Sequence, residues 1–147
     1  MVGVMTFCSL RSALGYQQPQ NGTWELSRFC TIGRYCVRGL FQKMLAKFQS
    51  EHACKKILTY ADARWTPNPK DSVYNKAGFN LIKLTSPNYW YTKNFIERHH
   101  RFGFQKHLIL KKYPEFDKEM TEKQLMEQLK YTRIWDCGHY KYELNVY

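Results

Sequence analysis

The chain has 147 residues, of which 44% are hydrophobic, and it carries a formal net charge of +11 at pH 7. The ordinary hydrophobic content argues against a disordered chain, and no apolar run approaches the roughly 20 residues that a membrane-spanning helix needs. The basic excess favours a polyanionic partner, and nucleic acid is the first candidate. A chain of this length is expected to form one domain.

The cysteines are odd in number and widely spaced, and no two of them form a Cys-x-x-Cys pair. They are Cys8, Cys30, Cys36, Cys54 and Cys137. This pattern indicates reduced thiols and predicts a cytoplasmic protein. A zinc site would require His99, His100, Cys137 and His139 to converge. Because no pair of these has the spacing of a zinc finger, we predict no metal site.

The N-terminal 30 residues have the pattern of a β-hairpin. Residues 2–8 are rich in β-favouring side chains, and residues 23–30 alternate between apolar and polar ones. Asn21-Gly22, which lies between the two runs, is a strong turn signal. We therefore predict two strands joined by a long loop.

Residues 36–50 carry the clearest helical signal. Apolar side chains recur with a period of about 3.6 residues, and polar residues occupy the opposite face. The apolar positions are Val37, Leu40, Phe41, Met44, Leu45 and Phe48. Such a stripe is typical of a helix packed on a core. We expect burial at Leu40, Phe41, Met44 and Phe48.

A strand, a loop, a short helix and a second strand are predicted over residues 57–84. Residues 57–60 form a β-favouring run, and residues 61–65, with the sequence ADARW, open a polar loop with two prolines. Residues 72–77 suit a short helix, and Gly78 suits the left-handed position that ends one. Residues 79–84 then begin another strand.

Basic residues are concentrated in residues 93–112, where Glu97 is the one acid. They are Lys93, Arg98, Arg101, Lys106, Lys111 and Lys112, with histidines and phenylalanines between them. Basic side chains mixed with aromatic ones suit phosphate contacts combined with base stacking, and we favour this interpretation. The alternative is an extended arm over the core, with its aromatic rings buried and its charges in solvent.

The C-terminal residues contain a helix start and two strand-like runs. Residues 121–124, TEKQ, have the sequence of a capping box, and a short helix is predicted through Leu129. The β-favouring residues 133–137 and 140–144 flank Gly138-His139. This arrangement predicts a terminal hairpin with a two-residue turn.

The central stretch resembles a known family. The segment Val73–Phe79, VYNKAGF, is similar to the LYxKxGF element of the GNAT superfamily of N-acyltransferases. TYADARW and SVYNKAGFNLIKLTSPNYWY resemble runs in phage proteins that carry this fold beside homing-endonuclease domains. A weaker similarity, in a SYAD…IYxxxxF pattern, is to the Mom family of phage DNA adenine-modification proteins. The resemblance extends from about Gly3 to Leu144.

This resemblance implies an α/β (α+β) fold of the GNAT type, with helices packed on a mixed, largely antiparallel sheet. The strand-helix-helix-strand elements with which that superfamily usually begins have no counterpart here. Three alternatives are expected: a minimal version of the fold, a product of gene fragmentation, or dependence on another protein chain that supplies these elements. Within a single domain of residues 1–147, we expect a core over residues 1–92. Residues 93–147 would form a basic arm, a short helix and the terminal hairpin.

The resemblance also identifies catalytic candidates. Tyr74 matches the tyrosine that in many GNAT enzymes protonates the departing coenzyme A thiolate, and Asp62, after a strand, is the candidate general base or base-reading residue. Plainer roles stay open, since Tyr74 would also suit a half-buried helix position. Asp62 would also suit the cap of a turn or an ion pair with Arg64. Arg64 and Trp65 are candidates for nucleic-acid contacts, although a tryptophan at a strand end commonly packs.

A cofactor site is implied at the N-terminus of the predicted helix. Acetyl-CoA or a related acyl donor would place its pyrophosphate there, beside Arg34, Arg38 and Gly39. Val37 stands where the superfamily has the first glycine of this loop. In a second alignment, Arg38-Gly39 matches a pair of glycines in the phage relatives, and one glycine is again missing.

Two functions are expected as alternatives. The first is an accessory DNA-recognition module of a homing-endonuclease-type phage system, which binds double-stranded DNA in the host cytoplasm. The second is a Mom-like acyltransferase that modifies DNA bases. Nuclease activity is not expected from this chain, because its carboxylates are scattered without the spacing of a metal-dependent nuclease.

Overall fold

The computed structural model describes residues 2–11, 21–34 and 37–147. Within them, eight strands and four α-helices follow one another along the chain. In order they are β1 (Gly3–Cys8), β2 (Thr23–Thr31), α1 (Leu40–Glu51), β3 (Lys56–Asp62), α2 (Val73–Lys76), β4 (Asn80–Leu84), β5 (Tyr89–Thr92), β6 (His99–His100), α3 (Lys106–Lys112), α4 (Glu122–Gln128), β7 (Thr132–Trp135) and β8 (His139–Asn145). Short 3-10 turns occupy Pro69–Asp71 and Arg101–Phe104.

The chain divides into two compact units. The first contains Met1–Thr85 and Gly138–Tyr147, and the second contains Ser86–Cys137. The chain thus leaves the first unit after β4 and returns to it for β8. These boundaries differ from the expected division at residues 92 and 93, because β5 pairs with strands of the second unit.

The first unit is built on a five-stranded sheet with the order β1-β2-β3-β8-β4. β2 and β3 are parallel, and the other neighbouring pairs are antiparallel. The fold is therefore of the α+β class, with the mixed and mostly antiparallel sheet that the sequence predicted. α1 lies in the connection that two parallel neighbours require.

The N-terminal hairpin is confirmed. β1 and β2 are antiparallel, with Gly3 opposite Thr31 and Cys8 opposite Glu25. Beyond β1, the Arg11 guanidinium donates from Nε to the buried Glu25 carboxylate at 3.1 Å. Most of the predicted loop, residues 12–20, lies outside the described residues.

α1 begins later than predicted. Gly39 has a φ of 71°, and the helix starts at the next residue, because left-handed backbone does not continue a right-handed helix. Phe41 is buried as expected. The other three positions expected to be buried are half-buried, namely Leu40, Met44 and Phe48. Val37 precedes the helix and is 46% exposed, so it does not belong to the apolar stripe.

The central stretch has the predicted order of strand, loop, short helix and strand. β3 lies in the middle of the five-stranded sheet, and β4 lies at its edge. The Ser72 hydroxyl caps α2 by accepting a hydrogen bond from the Asn75 N–H at 3.1 Å. Gly78 follows the helix with a φ of 89°, the left-handed conformation that was predicted there. These local signals therefore determine where α2 begins and ends.

The core of the first unit brings α1, α2 and the sheet together. Its buried side chains are Leu26, Phe41, Leu45, Ile57, Ala61, Phe79 and Tyr142. Aromatic rings from separate elements meet in it, as Phe41 contacts Phe29 and Phe79 edge to face. Removal of this apolar surface from water, at about 25 cal/mol per Å², is the main term that holds the elements together.

The second unit has its own small sheet and core. β5 lies between β6 and β7, and both pairs are antiparallel. The buried side chains are Tyr91, Ile109, Leu125 and Met126. α4 begins at the predicted capping box, which the Thr121 and Gln124 side chains form. Even this short unit therefore buries an apolar cluster of its own.

The expected basic arm is instead a folded part of the second unit. Residues 93–112 contain β6, a 3-10 turn and α3. Apolar side chains of this segment join the core, since Ile109 is buried and the Phe104 ring centre lies 5.4 Å from that of Tyr91. Burial of these groups favours a folded segment over an extended one.

The predicted terminal hairpin is wrong. β7 pairs with β5, whereas β8 enters the first sheet between β3 and β4. Tyr142 of β8 is fully buried there. The chain turns at Gly138, which has a φ of 75°, and a Cβ at this position would lie 2.4 Å from the Thr85 carbonyl oxygen. The two runs are strand-forming, as predicted, but each pairs with distant strands.

Candidate functional site

A cleft in the first unit lies beside the end of β3 and the start of α2. Its volume is about 320 Å³, and it is lined by Ala61, residues 65–68 and residues 71–74. The Tyr142 hydroxyl donates a hydrogen bond to the Pro69 carbonyl at 2.8 Å. This bond ties the loop that forms the cleft to the sheet.

The parallel strands β2 and β3 pair only over their first residues. Their register ends with Leu26 opposite Thr59, although β2 continues to Thr31 and β3 to Asp62. The Tyr74 phenol interacts with the side chain of Thr59, the last residue of β3 in this pairing. Beyond this point β2 and β3 are not paired with each other, and Tyr74 lies near the end of their pairing.

Tyr74 is also part of the core. Its ring centre lies 5.8, 5.9 and 5.5 Å from those of Phe41, Phe79 and Tyr142. Burial raises the pKa of its phenol, and the bond with Thr59 offsets part of this rise. At neutral pH the hydroxyl therefore stays protonated and can donate a proton, but it cannot act as a base. Tyr74 therefore has the packing role in the structure. A role as proton donor stays open.

Asp62 forms a tight turn at the end of β3. Its Oδ1 accepts a hydrogen bond from the Arg64 N–H at 2.8 Å, and its carbonyl accepts one from the Trp65 N–H at 3.1 Å. This is the turn-capping geometry that the sequence left open. Ala61 and Trp65 line the cleft with Tyr74, whereas Asp62 does not. The cleft therefore does not bring the two catalytic candidates together.

Trp65 stands at the rim of the cleft. Its side chain is 78% exposed, so the core-packing alternative does not describe it. A tryptophan left in water loses most of the stabilisation that burial would provide. Arg64 beside it is exposed as well. Both side chains are therefore accessible to a ligand.

The candidate cofactor loop precedes α1. Arg34, Arg38 and Gly39 are exposed, and residues 35 and 36 lie outside the described residues. A Cβ built at Gly39 would meet nothing within 4 Å, so the space beside it is open. The first turn of α1 holds no acidic residue, and the helix dipole adds partial positive charge. These features fit a phosphate group, whereas Val37 stands where the expected cofactor loop would have a glycine.

The expected nucleic-acid-binding residues of the second unit differ in exposure. Lys93, Arg98, Lys111 and Lys112 are exposed, whereas Arg101 and Lys106 are half-buried. Among residues 2–11, 21–34 and 37–147, no ion pair involves any of these six. Because no carboxylate of the described chain pairs with them, these charges are available to an anionic partner.

Aromatic rings hold some of these basic groups. The Arg98 guanidinium lies 5.9 Å from the ring centre of Trp90, and the Lys93 ammonium lies 5.7 Å from that of Tyr131. Such contacts restrict a long side chain without neutralising its charge. The second unit therefore presents oriented positive groups beside aromatic surfaces, a combination that suits phosphate contacts and base stacking.

Arg101 has a position that the sequence did not indicate. Its guanidinium lies 5.5 Å from the ring centres of both Tyr89 and Phe102. Its Nε atom is buried, with no hydrogen-bonding partner in the described chain. It also lines a cavity of about 180 Å³ together with Gln105 and Glu122. Arg101 is therefore less available to DNA than the four exposed basic residues.

A partly buried polar network in the second unit was not predicted. The Glu122 carboxylate accepts hydrogen bonds from the hydroxyls of Tyr91 at 2.7 Å and Tyr89 at 3.1 Å. Arg133 donates to the Tyr91 hydroxyl at 3.0 Å. Burial, followed by the bond to Glu122, raises the pKa of Tyr91. The one sign of this network in the sequence is the alternation of side chains along β5 and β7. In the structure, their register places Tyr91 opposite Arg133 and Tyr89 opposite Trp135.

No helix of the described residues combines the length and apolar character needed to cross a membrane. In the described part of the chain, no group of three or more His, Cys, Asp or Glu side chains is arranged to hold a metal ion, so His99, His100, Cys137 and His139 form no such site. No protein-family model and no curated protein sequence matches the chain.

Proposed function

We propose that this chain is a double-stranded DNA-binding protein with a GNAT-like fold, and that it serves as an accessory recognition module of a homing-endonuclease-type phage system. One observation carries the proposal. The basic residues of 93–112 have no ion-pair partner among the described residues and are interleaved with aromatic rings. DNA offers both the phosphates and the aromatic bases that such a surface can contact.

The overall charge supports the same partner. A net charge of +11 creates a positive potential that attracts polyanions from a distance. Each lysine or arginine that contacts a phosphate releases condensed counterions, and this release supplies much of the affinity at moderate salt. The second unit also has aromatic surfaces beside its basic residues. Charge that served only to keep the protein in solution would not require such surfaces.

Features of the first unit support the GNAT-like part of the proposal. Its sheet is mixed, and α1 connects the parallel strands β2 and β3. The order β3, loop, α2, Gly78 and β4 contains the LYxKxGF-like segment in the expected places.

The salt dependence of binding to duplex DNA tests the proposed function. A variant with Lys93, Arg98 and Lys111 changed to alanine removes three exposed charges of the second unit. A matched control changes three exposed lysines of the first unit, Lys43, Lys55 and Lys76, to alanine, with the same loss of net charge. Affinity would be measured by fluorescence anisotropy over a range of salt concentrations.

We expect wild-type affinity to fall steeply as salt rises, with a log–log slope of about 0.9 for each phosphate contact. The second-unit variant should lose affinity for all sequences and show a slope smaller by roughly 2 to 3. The control should keep the wild-type slope. Equal losses in both variants would mean that only net charge matters, and no binding by the wild type would overturn the proposal.

A second candidate function is the Mom-like acyltransferase, which one specific observation favours. Tyr74 stays protonated where β2 and β3 separate, a suitable place for a proton donor. An acyl-coenzyme A donor, when bound, would supply the activated acyl group. Arg34, Arg38 and Gly39 would hold its phosphates.

Calorimetry with acetyl-CoA and mass spectrometry of DNA from expressing cells decide between the two functions. We expect weak or no binding of acetyl-CoA, because Val37 replaces a loop glycine. We also expect any cellular activity to persist in Tyr74→Phe. Micromolar binding, together with a base modification that Tyr74→Phe abolishes, would favour the acyltransferase.

A further inference from the structure

An apolar turn projects from the second unit between β5 and β6. Phe95 is 74% exposed and Ile96 is 86% exposed, although both are large hydrophobic residues. They follow each other directly, so they form one continuous apolar tip. Exposed apolar side chains that occur singly need no explanation, but a paired tip on a strongly basic chain does.

The backbone of this turn is strained. Asn94 has a φ of 67° and Phe95 has a φ of 58°, so two successive non-glycine residues are left-handed. Asparagine tolerates this conformation, whereas in phenylalanine the Cβ crowds the backbone. A glycine at position 95 would relieve the strain. Strain of this kind is often retained where a side chain must be presented in a particular direction.

Basic groups flank the tip on both sides. Lys93 precedes it and Arg98 follows it, and both are exposed. Each is held against an aromatic ring, at Tyr131 and Trp90 respectively. Glu97 is the acid in this turn, and its Oε2 lies 3.6 Å from His99 Nε2. The tip therefore combines two apolar side chains with positive charges a few residues away.

We propose that Phe95 and Ile96 form a wedge that inserts between base steps of duplex DNA, while Lys93 and Arg98 contact the flanking phosphates. DNA-bending proteins use the same combination, an apolar side chain that unstacks a base step and cationic groups that hold the backbone. The inference rests on the proposed DNA-binding function and adds to it a mode of recognition, through the deformability of the DNA.

Charge and size favour DNA over the other macromolecules that an apolar tip could contact. Basic residues without ion-pair partners in the described chain surround the tip, which complements a polyanion. Two side chains expose too little surface for a stable protein interface, which buries roughly 800 Å² on each partner. A wedge between two bases needs no larger surface.

The test uses the full chain and a duplex that contains 2-aminopurine, a base whose fluorescence rises when it is unstacked. The test variant carries Phe95→Ala and Ile96→Ala. A matched control, Ile82→Ala, removes a half-exposed apolar side chain from β4 of the first unit. We expect wild type and control to unstack the reporter base. The double variant should not unstack it and should bind several-fold more weakly, with an unchanged salt slope because its phosphate contacts remain.

Phe95→Gly provides a second readout that a damaged fold would not produce. It removes the wedge and relieves the left-handed strain. We expect a higher midpoint of thermal unfolding than in wild type, together with loss of reporter unstacking. A lower midpoint would mean that Phe95 is needed for folding, and continued unstacking would mean that it is not the wedge. Either result would overturn the inference.

The remaining outcomes separate this inference from the proposed function. If wild type binds duplex DNA with the expected salt dependence but does not unstack the reporter, the wedge is wrong and the proposed function stands. If wild type does not bind duplex DNA, both are wrong. If only proteins with an intact tip bind vesicles of anionic lipid, and none unstacks the reporter, the tip belongs to a membrane surface and the inference is overturned.

Discussion

Some candidate residues of the two units are used in opposite ways by the fold. In the first unit, Tyr74 packs among aromatic rings, and Asp62 accepts hydrogen bonds from its own turn. In the second unit, exposed basic side chains lie over aromatic rings without ion-pair partners in the described chain, and Phe95 is held in strained backbone. Groups already satisfied by the fold contribute mainly to stability, whereas unsatisfied exposed groups are available to a ligand. The comparison therefore places the stronger argument for binding in the second unit.

The largest expected effect tests the packing of the first unit. Phe41→Ala should lower the free energy of unfolding by roughly 3–5 kcal/mol, because Phe41 is buried among rings of the core. Lys43→Ala, on the exposed face of α1, should change it little. Urea denaturation of both variants measures the difference. Equal effects would contradict the register of α1 in the structure.

A smaller effect is expected from the buried phenol. The folded chain raises the pKa of Tyr74 above 10.0, so near pH 10 and above, the folded state keeps a proton that the unfolded state releases. This contribution to stability is therefore present below about pH 10 and is lost as the pH rises further. Tyr74→Phe should show a shallower fall in urea midpoint between about pH 8 and 11 than wild type.

Identical pH profiles for wild type and Tyr74→Phe would place Tyr74 in contact with water. In that case the contrast between a packed first unit and an exposed second unit would weaken. Tyr91 would still contribute an alkaline decline, because burial and Glu122 raise its pKa as well.

The smallest effect on stability is expected at Trp65, the exposed candidate of the first unit. Trp65→Ala should change the free energy of unfolding by less than about 0.5 kcal/mol, because most of its surface is in water. If its ring stacks on a base, DNA affinity should nevertheless fall by about 1–3 kcal/mol. Anisotropy titration measures this loss. Unchanged affinity would confine the DNA contacts to the second unit.

Signals that act between residues close in sequence were predictable. The capping box at Thr121 and Gln124 and the left-handed Gly78 require only neighbouring residues, and both are present. The predicted turn at Asn21-Gly22 is present directly before β2. Such features depend on backbone geometry and nearby hydrogen bonds, which the local sequence specifies.

The start of α1 shows where local periodicity misleads. Val37 continues the apolar stripe by spacing, yet Gly39 takes a left-handed conformation and ends the helix before it reaches Val37. Glycine adopts left-handed and right-handed backbone at similar cost, so sequence could not decide between them.

By itself the sequence determined the α+β class, most of the strands and helices, and the basic and aromatic character of residues 93–112. Only the tertiary structure decided which strands pair, because β7 and β8 are equally strand-like and the choice of partners depends on burial against distant residues such as Tyr91 and Tyr142. It likewise decided that Arg101 is half-buried while Arg98 is exposed, since burial is a property of the packed unit and not of the residue. Nonlocal packing therefore separates the residues that stabilise this protein from those left free to bind.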